Sequence, residues 1–229
     1  MGQCFVIANA DRKECICPWD LSNGYKLMEW AHSGNQMNLA LTNKIAGDWK
    51  GDRVYVLGDY ADETGPGEEG FAAVAKMLDE NGIEPPNLFP YVYKNFKNIS
   101  DDCDVEDYGY RYLYNHKTRQ VIDLAKLPIE WGWYSKEEKQ GGIVSIAPLP
   151  VLIAIGNGRG GGDYYGVNEE YAGSWCDSIE HVEFSREPID RHDEYELFAP
   201  DFTERSEKVT YDRAEEMIEK AKAFVLSLS

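Results

Sequence analysis

Residues 155–166, Ile155-Gly156-Asn157-Gly158-Arg159-Gly160-Gly161-Gly162-Asp163-Tyr164-Tyr165-Gly166, concentrate more chemically useful groups than any other stretch of this chain. The glycines and Asn157 reach positive φ at little cost, so successive backbone N–H groups can turn inward around an anion. Arg159 adds a planar fork for a phosphate or carboxylate, and Asp163 and Tyr164 can fix a hydroxyl or stack on a sugar or base. Asn157, Gly158, Arg159, Gly160, Gly161, Gly162 and Tyr164 are therefore the candidate ligand contacts. Asp163, Asp52 and Asp177 are the candidate general bases for a hydrolysis or group transfer. The segment lacks the Gly-Lys-Ser/Thr of a P-loop and the helix start of a dinucleotide fingerprint, so it names no cofactor. Its other reading is structural, a glycine-rich crossing where two backbones approach closely.

Other clusters are less specific. Asp59, Asp62 and Glu63 place three carboxylates in five residues, which suits either a hard divalent cation or a solvated acidic turn, and the spacing is not that of an EF-hand. Cys15-Ile16-Cys17 would put two sulfurs on one face of a strand. Five cysteines without regular ligand spacing fit reduced core thiols, and no metal site is assigned. Trp131-Gly132-Trp133-Tyr134 reads as a ring platform or the lid of a core. His116, His181 and His192 stand beside no obvious nucleophile, and no Ser-His-Asp or Cys-His arrangement is evident.

The elements that must position these groups recur along the chain. Residues 7–16 answer 113–122 at an offset of 106, residues 27–35 answer 149–157 at 122, and residues 46–54 answer 172–179 at about 126. Anchors recurring in one order with growing offsets are the mark of a duplicated unit whose loops differ in length. Runs 4–8 and 14–17 around a polar turn predict a hairpin, repeated by 110–114 and 119–124. A strand over 53–57 is matched by one over 179–184. Helical spacing of Phe71, Val74, Ala75 and Leu78 predicts a helix over 67–81, and Ala214, Met217, Ile218, Ala221, Phe224 and Val225 predict another over 210–228. The first-copy counterpart of the glycine-rich segment, residues 35–40, reads as a helix start. The expected fold class is α+β, an internal duplication of a hairpin-strand-helix unit in a pseudo-twofold arrangement. Its repeats are residues 1–109 and 110–229 of one compact domain. Residues kept in both copies, such as Trp49 with Trp175 and Asp52 with Asp177, are expected to fill cores and hold turns, or the two aspartates could face each other as a carboxylate pair.

A net charge of −18, from 41 acidic and 23 basic residues, opposes a direct grip on nucleic-acid phosphates. The acidity is spread over both halves, as on a soluble cytosolic surface or a nucleic-acid mimic. No apolar run approaches the ~20 residues of a membrane span, and the start has no signal-like stretch, so the expectation is a cytoplasmic protein with no membrane partner. Gly2 invites lipidation, but Val6 stands where that signal wants Ser or Thr.

Met1-Gly2-Gln3, Gly51-Asp52-Arg53-Val54 with Gly58-Asp59-Tyr60-Ala61-Asp62, Asn115-His116-Lys117-Thr118, and Gly156 to Tyr164 with Trp175 and Asp177 together resemble an uncharacterised family of bacterial and phage-type proteins. The resemblance spans most of residues 1–185 and implies no activity. The residues themselves point to a small anionic or hydroxyl-rich ligand held in a glycine-rich cleft between the halves. The competing expectation is a non-catalytic acidic factor of immunity or anti-defence type that occupies a basic protein partner.

Overall fold

The computed structural model describes residues 3–21, 24–61, 67–83, 88–127, 129–156, 171–200 and 211–227. In chain order the elements are β1 (Phe5–Asn9), β2 (Glu14–Ile16), α1 (Pro18–Leu21), α2 (Leu27–Trp30), α3 (Gln36–Ala46), β3 (Val54–Gly58), α4 (Gly67–Asn81), α5 (Leu88–Asn95) and β4 (Lys97–Asn98). They continue with β5 (Tyr112–Asn115), β6 (Gln120–Asp123), β7 (Ile129–Ser135), β8 (Gln140–Ser145), α6 (Pro148–Leu152), β9 (Ala154–Ile155), β10 (Val182–Ser185), β11 (Glu196–Leu197) and α7 (Tyr211–Ser227). The fold is mixed α/β with two sheets of similar size.

One sheet has the order β4-β2-β1-β3-β9 and the other β11-β6-β5-β10. In each, the central strand pairs antiparallel with its hairpin partner and with a later strand, and the hairpin partner pairs parallel with a two-residue strand at the edge. The details also match. Asn9 Oδ1 accepts from the N–H groups of Asp11 and Arg12, and Asn115 Oδ1 from those of Lys117 and Thr118. An asparagine that stands in for backbone acceptors closes each hairpin turn. Each turn then ends in a left-handed non-glycine residue, Lys13 at φ 56° and Arg119 at φ 59°. Trp49 donates its indole N–H to Glu14 Oε2 at 2.8 Å, and Trp175 donates to Gln120 Oε1 at 3.2 Å. The partner of each tryptophan is thus the first residue of the second hairpin strand, not the aspartate of the following turn.

Elsewhere the sheets differ. The first gains β9, drawn from residues 154–155 and parallel to β3. Of the strand expected over 179–184, residues 179–181 instead end a 3-10 helix, Cys176–His181, that feeds β10. The charged segment around 136–139 is the turn of a separate hairpin, β7–β8, and α7 packs on that hairpin. One continuous core joins the halves, with Trp30, Trp49 and Trp175 among its fully buried side chains. A smaller cluster of Tyr112, Tyr114 and Val121 lies apart from it, covered by Ile189 and Tyr195.

Candidate functional site

The N-terminal half of α3 starts from a side-chain cap, because Asn35 Oδ1 accepts the Met37 N–H at 2.9 Å. This helix, the connector 107–111 and the start of α6 enclose a cavity of about 360 Å³ with the inner side of the second sheet. Leu113, Phe184, Leu127 and Leu149 give it an apolar floor, and Asn38, Thr42 and Asn43 line it from α3. A cavity of this size, mostly apolar with a few polar groups, is the usual form of a small-molecule site.

Hydrogen-bonding capacity on this wall is unspent. Asn38 is 9 % exposed, and its side chain makes no hydrogen bond among the described residues. Asn43 donates from Nδ2 to the carbonyls of Asp104 and Glu106, while its buried Oδ1 has no partner among the described residues. Next to the cavity, the His32 backbone is bridged to Ile146; the ring Nε2 meets the Glu29 carbonyl at 3.0 Å and the buried Nδ1 has no partner among the described residues. Burial pushes the His32 pKa down, so the ring is neutral, with Nε2–H donating and Nδ1 left as an acceptor. Buried polar atoms are nearly always paired, and on the cavity wall the Asn38 amide, which keeps some accessible surface, is the group that a bound molecule can meet.

The charge inside is balanced. Arg111 lines the cavity, but its Nε and Nη2 donate to the buried Asp123 at 3.2 and 3.1 Å. Burial works to raise the Asp123 carboxyl, yet the Arg111 guanidinium outweighs it and the pKa ends below the usual carboxylate range. At the rim, Tyr108 donates to Asp104 at 2.6 Å, which pushes the phenol up to about 12. Among the described lining residues the one Arg or Lys is Arg111, and it is paired with Asp123.

No family model, curated protein or solved structure matches this chain. The site therefore rests on its own geometry.

The residues singled out in the sequence fall in several places. Asn157, Gly158, Arg159, Gly160, Gly161, Gly162, Asp163 and Tyr164 lie outside the described residues, as do Asp62 and Glu63. Asp52 accepts from Asn9 Nδ2 at 2.9 Å and from Arg12 Nε, so it holds the first hairpin turn against the loop before β3. The matching bond in the second sheet runs from Asn115 Nδ2 to Ser178 Oγ at 2.7 Å, which makes Ser178, not Asp177, the positional equivalent of Asp52. Asp177 has an exposed side chain, and its carbonyl accepts from Lys117 Nζ at 2.6 Å. No hydrogen bond or ion pair among the described residues joins Asp52 to Asp177.

Two segments that are distant in sequence do meet. Gly58 ends β3 and Gly156 follows the neighbouring parallel strand β9, and the buried Gln3 side chain lies across both. A Cβ would come within 2.2 Å of Gln3 Oε1 at Gly58 and within 2.5 Å at Gly156. Neither glycine has a positive φ, so what the position requires is space. Gly58 and Gly156 therefore stand side by side at the carboxyl ends of parallel strands. Cys15 and Cys17 are both fully buried free thiols.

Asn38 and Asn43 were not evident in the sequence as site residues. Their one local signal is polarity on the buried side of an amphipathic helix, where Met37, Ala40, Leu41 and Ile45 are apolar.

Proposed function

We propose that this protein binds a small, neutral, hydrogen-bonding molecule with an apolar body in the cleft between its halves. The observation that carries this is the conjunction of an apolar cavity of about 360 Å³ with the buried, unbonded side chain of Asn38. Of the two ligand classes expected, hydroxyl-rich and anionic, the paired state of Arg111 favours the first at this cavity. A thermal-shift screen with nucleosides, free sugars and aromatic amides tests it. A ligand present at 100 times its Kd stabilises by about 2.7 kcal/mol. Asn38→Leu should abolish the shift while the protein stays folded. A melt unmoved by every class would favour instead the acidic interaction role, with binding to a basic partner that falls steeply with salt.

A second reading is favoured by the junction of Gly58 and Gly156. Ligands of open α/β sheets bind beyond the carboxyl ends of parallel strands. Arg159 would hold a small anion there, and Asp163 would act as general base in a hydrolysis or transfer. Stabilisation by inorganic phosphate that is lost in Arg159→Ala supports this reading; stabilisation unchanged in the variant refutes it.

We also infer that the two sheets descend from one duplicated unit. Shared strand order, the paired turn asparagines and the paired indole bonds support that origin. If it holds, Asn9→Ala and Asn115→Ala should each lower stability by a similar amount, about 1–3 kcal/mol for leaving turn N–H groups unmet.

A further inference from the structure

Differences between matched positions of the two sheets single out a second place. His116 follows Asn115 as Ala10 follows Asn9, and both N–H groups donate to the loop before the next strand, His116 to the His181 carbonyl and Ala10 to that of Arg53. Glu183 pairs with Tyr114 as Tyr55 pairs with Ala8. Where the first sheet has Ala8, Ala10 and Tyr55, all buried, the second has Tyr114, also buried, with His116 and Glu183, each about one-third exposed.

These side chains form a line. Glu183 Oε2 lies 2.9 Å from His116 Nε2, and His116 Nδ1 lies 2.6 Å from the Tyr195 hydroxyl. Burial raises the Glu183 carboxyl, but the His116 bond and Lys50 Nζ at 3.3 Å outweigh it and hold the group below its usual range. An ionised Glu183 takes the Nε2–H, which leaves the Nδ1 lone pair to accept the Tyr195 proton. The segment bearing Tyr195 is fixed nearby, because the Tyr114 hydroxyl accepts the Ile189 N–H and bonds to His192 Nδ1 at 2.6 Å. The Arg119 guanidinium stands 5.0 Å from the Tyr195 ring, where it favours negative charge developing on the phenol. His116 and Glu183 are about one-third exposed, at 35 % and 32 %, so reagents can reach the line. Beside it, a second cavity of about 360 Å³ is lined by Tyr195, Tyr112, Val121, Leu197 and His192.

A hydroxyl bonded to a base that is itself oriented by a carboxylate is the general arrangement of an activated nucleophile. We propose that Glu183, His116 and Tyr195 form an acyl-accepting site for neutral carboxylic esters. The net charge of −18 disfavours phosphate esters, whose anions would be repelled, while the second cavity itself is balanced, with Arg111 and Lys126 beside Asp123 and Asp193. In the step, Tyr195 Oη attacks the ester carbonyl carbon as its proton passes to His116 Nδ1. The carbon–alkoxy bond breaks, and the leaving alkoxide takes that proton from His116. The products are an acyl-tyrosine and an alcohol; water then adds across the acyl bond and restores the phenol with release of the acid.

The test is acetylation of the full-length chain by p-nitrophenyl acetate. A nitrophenolate burst of about one equivalent is expected, with a gain of about 42 Da on the peptide that holds Tyr195. Tyr195→Phe should remove the burst, and His116→Gln should slow it at least tenfold, within the range of about 10²–10⁴ typical of base catalysis. Tyr93→Phe, at an exposed ring remote from the line, should leave it intact. Glu183→Gln keeps a hydrogen bond to the imidazole but not the charge, and should give an intermediate rate in a protein whose melt is unchanged. Acetyl groups spread evenly over exposed residues such as Tyr25 and Tyr93, or an unaltered rate at Tyr195 in His116→Gln, would overturn the proposal. The cleft ligand is unaffected by either outcome.

Discussion

Asn38→Leu should make this protein more stable, the reverse of what most buried substitutions do. In the native fold the Asn38 amide is 9 % exposed on the buried side of α3, without a hydrogen bond from any described residue. Leaving an amide without a protein partner costs about 1–3 kcal/mol, less where the cavity admits water, and leucine, with the same branched outline and a larger apolar volume, does not incur it. Leucine is also the better helix former, by a few tenths of a kcal/mol. The sum is a gain of about 1–3 kcal/mol, or a rise of about 2–8 °C in Tm for a chain of this length. Calorimetry and urea titration of the two proteins without added ligand measure it, with an unchanged m-value as the sign that both unfold alike. A stabilised variant that no longer responds to ligand would show strain kept for binding, a familiar trade. A loss of 1 kcal/mol or more would refute the reasoning, since it would mean that ordered water already satisfies the amide and that the cavity makes no demand on a ligand.

Asp123, held below its usual range against Arg111, should contribute stability that is complete above the unfolded carboxylate pKa of about 3.9 and is lost as pH falls through the lower folded value. Asp123→Asn should flatten that acid limb in pH-dependent melts and cost about 1–2 kcal/mol at neutral pH, since Arg111 is half exposed. Gly58→Ala and Gly156→Ala should each destabilise by about 1–3 kcal/mol through the clash with Gln3, and Gln3→Ala should recover much of the loss in a double-mutant cycle read by denaturant midpoint. Trp49→Ala and Trp175→Ala should cost about 3–5 kcal/mol each, measured by chemical denaturation, and a difference of more than twofold would separate the roles of the two indoles.

Much of the scaffold is legible where local signals and pairing agree. Helix α4 spans the residues that the spacing of its apolar positions marks, and both hairpins turn at an asparagine followed by polar residues. Other parts are hidden for physical reasons. The β7–β8 turn reaches positive φ at Lys139, so neither glycine nor asparagine announces it. Residues 176–181 are held as a 3-10 helix by bonds back to Gly173 and Trp175, which a strand-like composition does not reveal. β9 is two residues of a long apolar run, and its partner Val56 lies 98 positions earlier. The cleft is assembled from several segments, none polar enough to stand out. His116 finds Tyr195 79 residues away, and the readable trace was the change from Ala10 to His116 between otherwise matched turns.

The short strand β9 has a consequence for how the chain comes off the ribosome. Until Ile153 is available to accept the Val56 N–H, the outer edge of β3 presents an open row of donors and acceptors along a strand buried throughout in the finished protein. Roughly a hundred residues of synthesis separate the two events, about 5–20 s at ordinary elongation rates. A fragment ending near residue 110 would keep that edge permanently, and such edges recruit other chains. The N-terminal half expressed alone should accumulate as aggregate, and supplying residues 110–229 in trans should return it to solution.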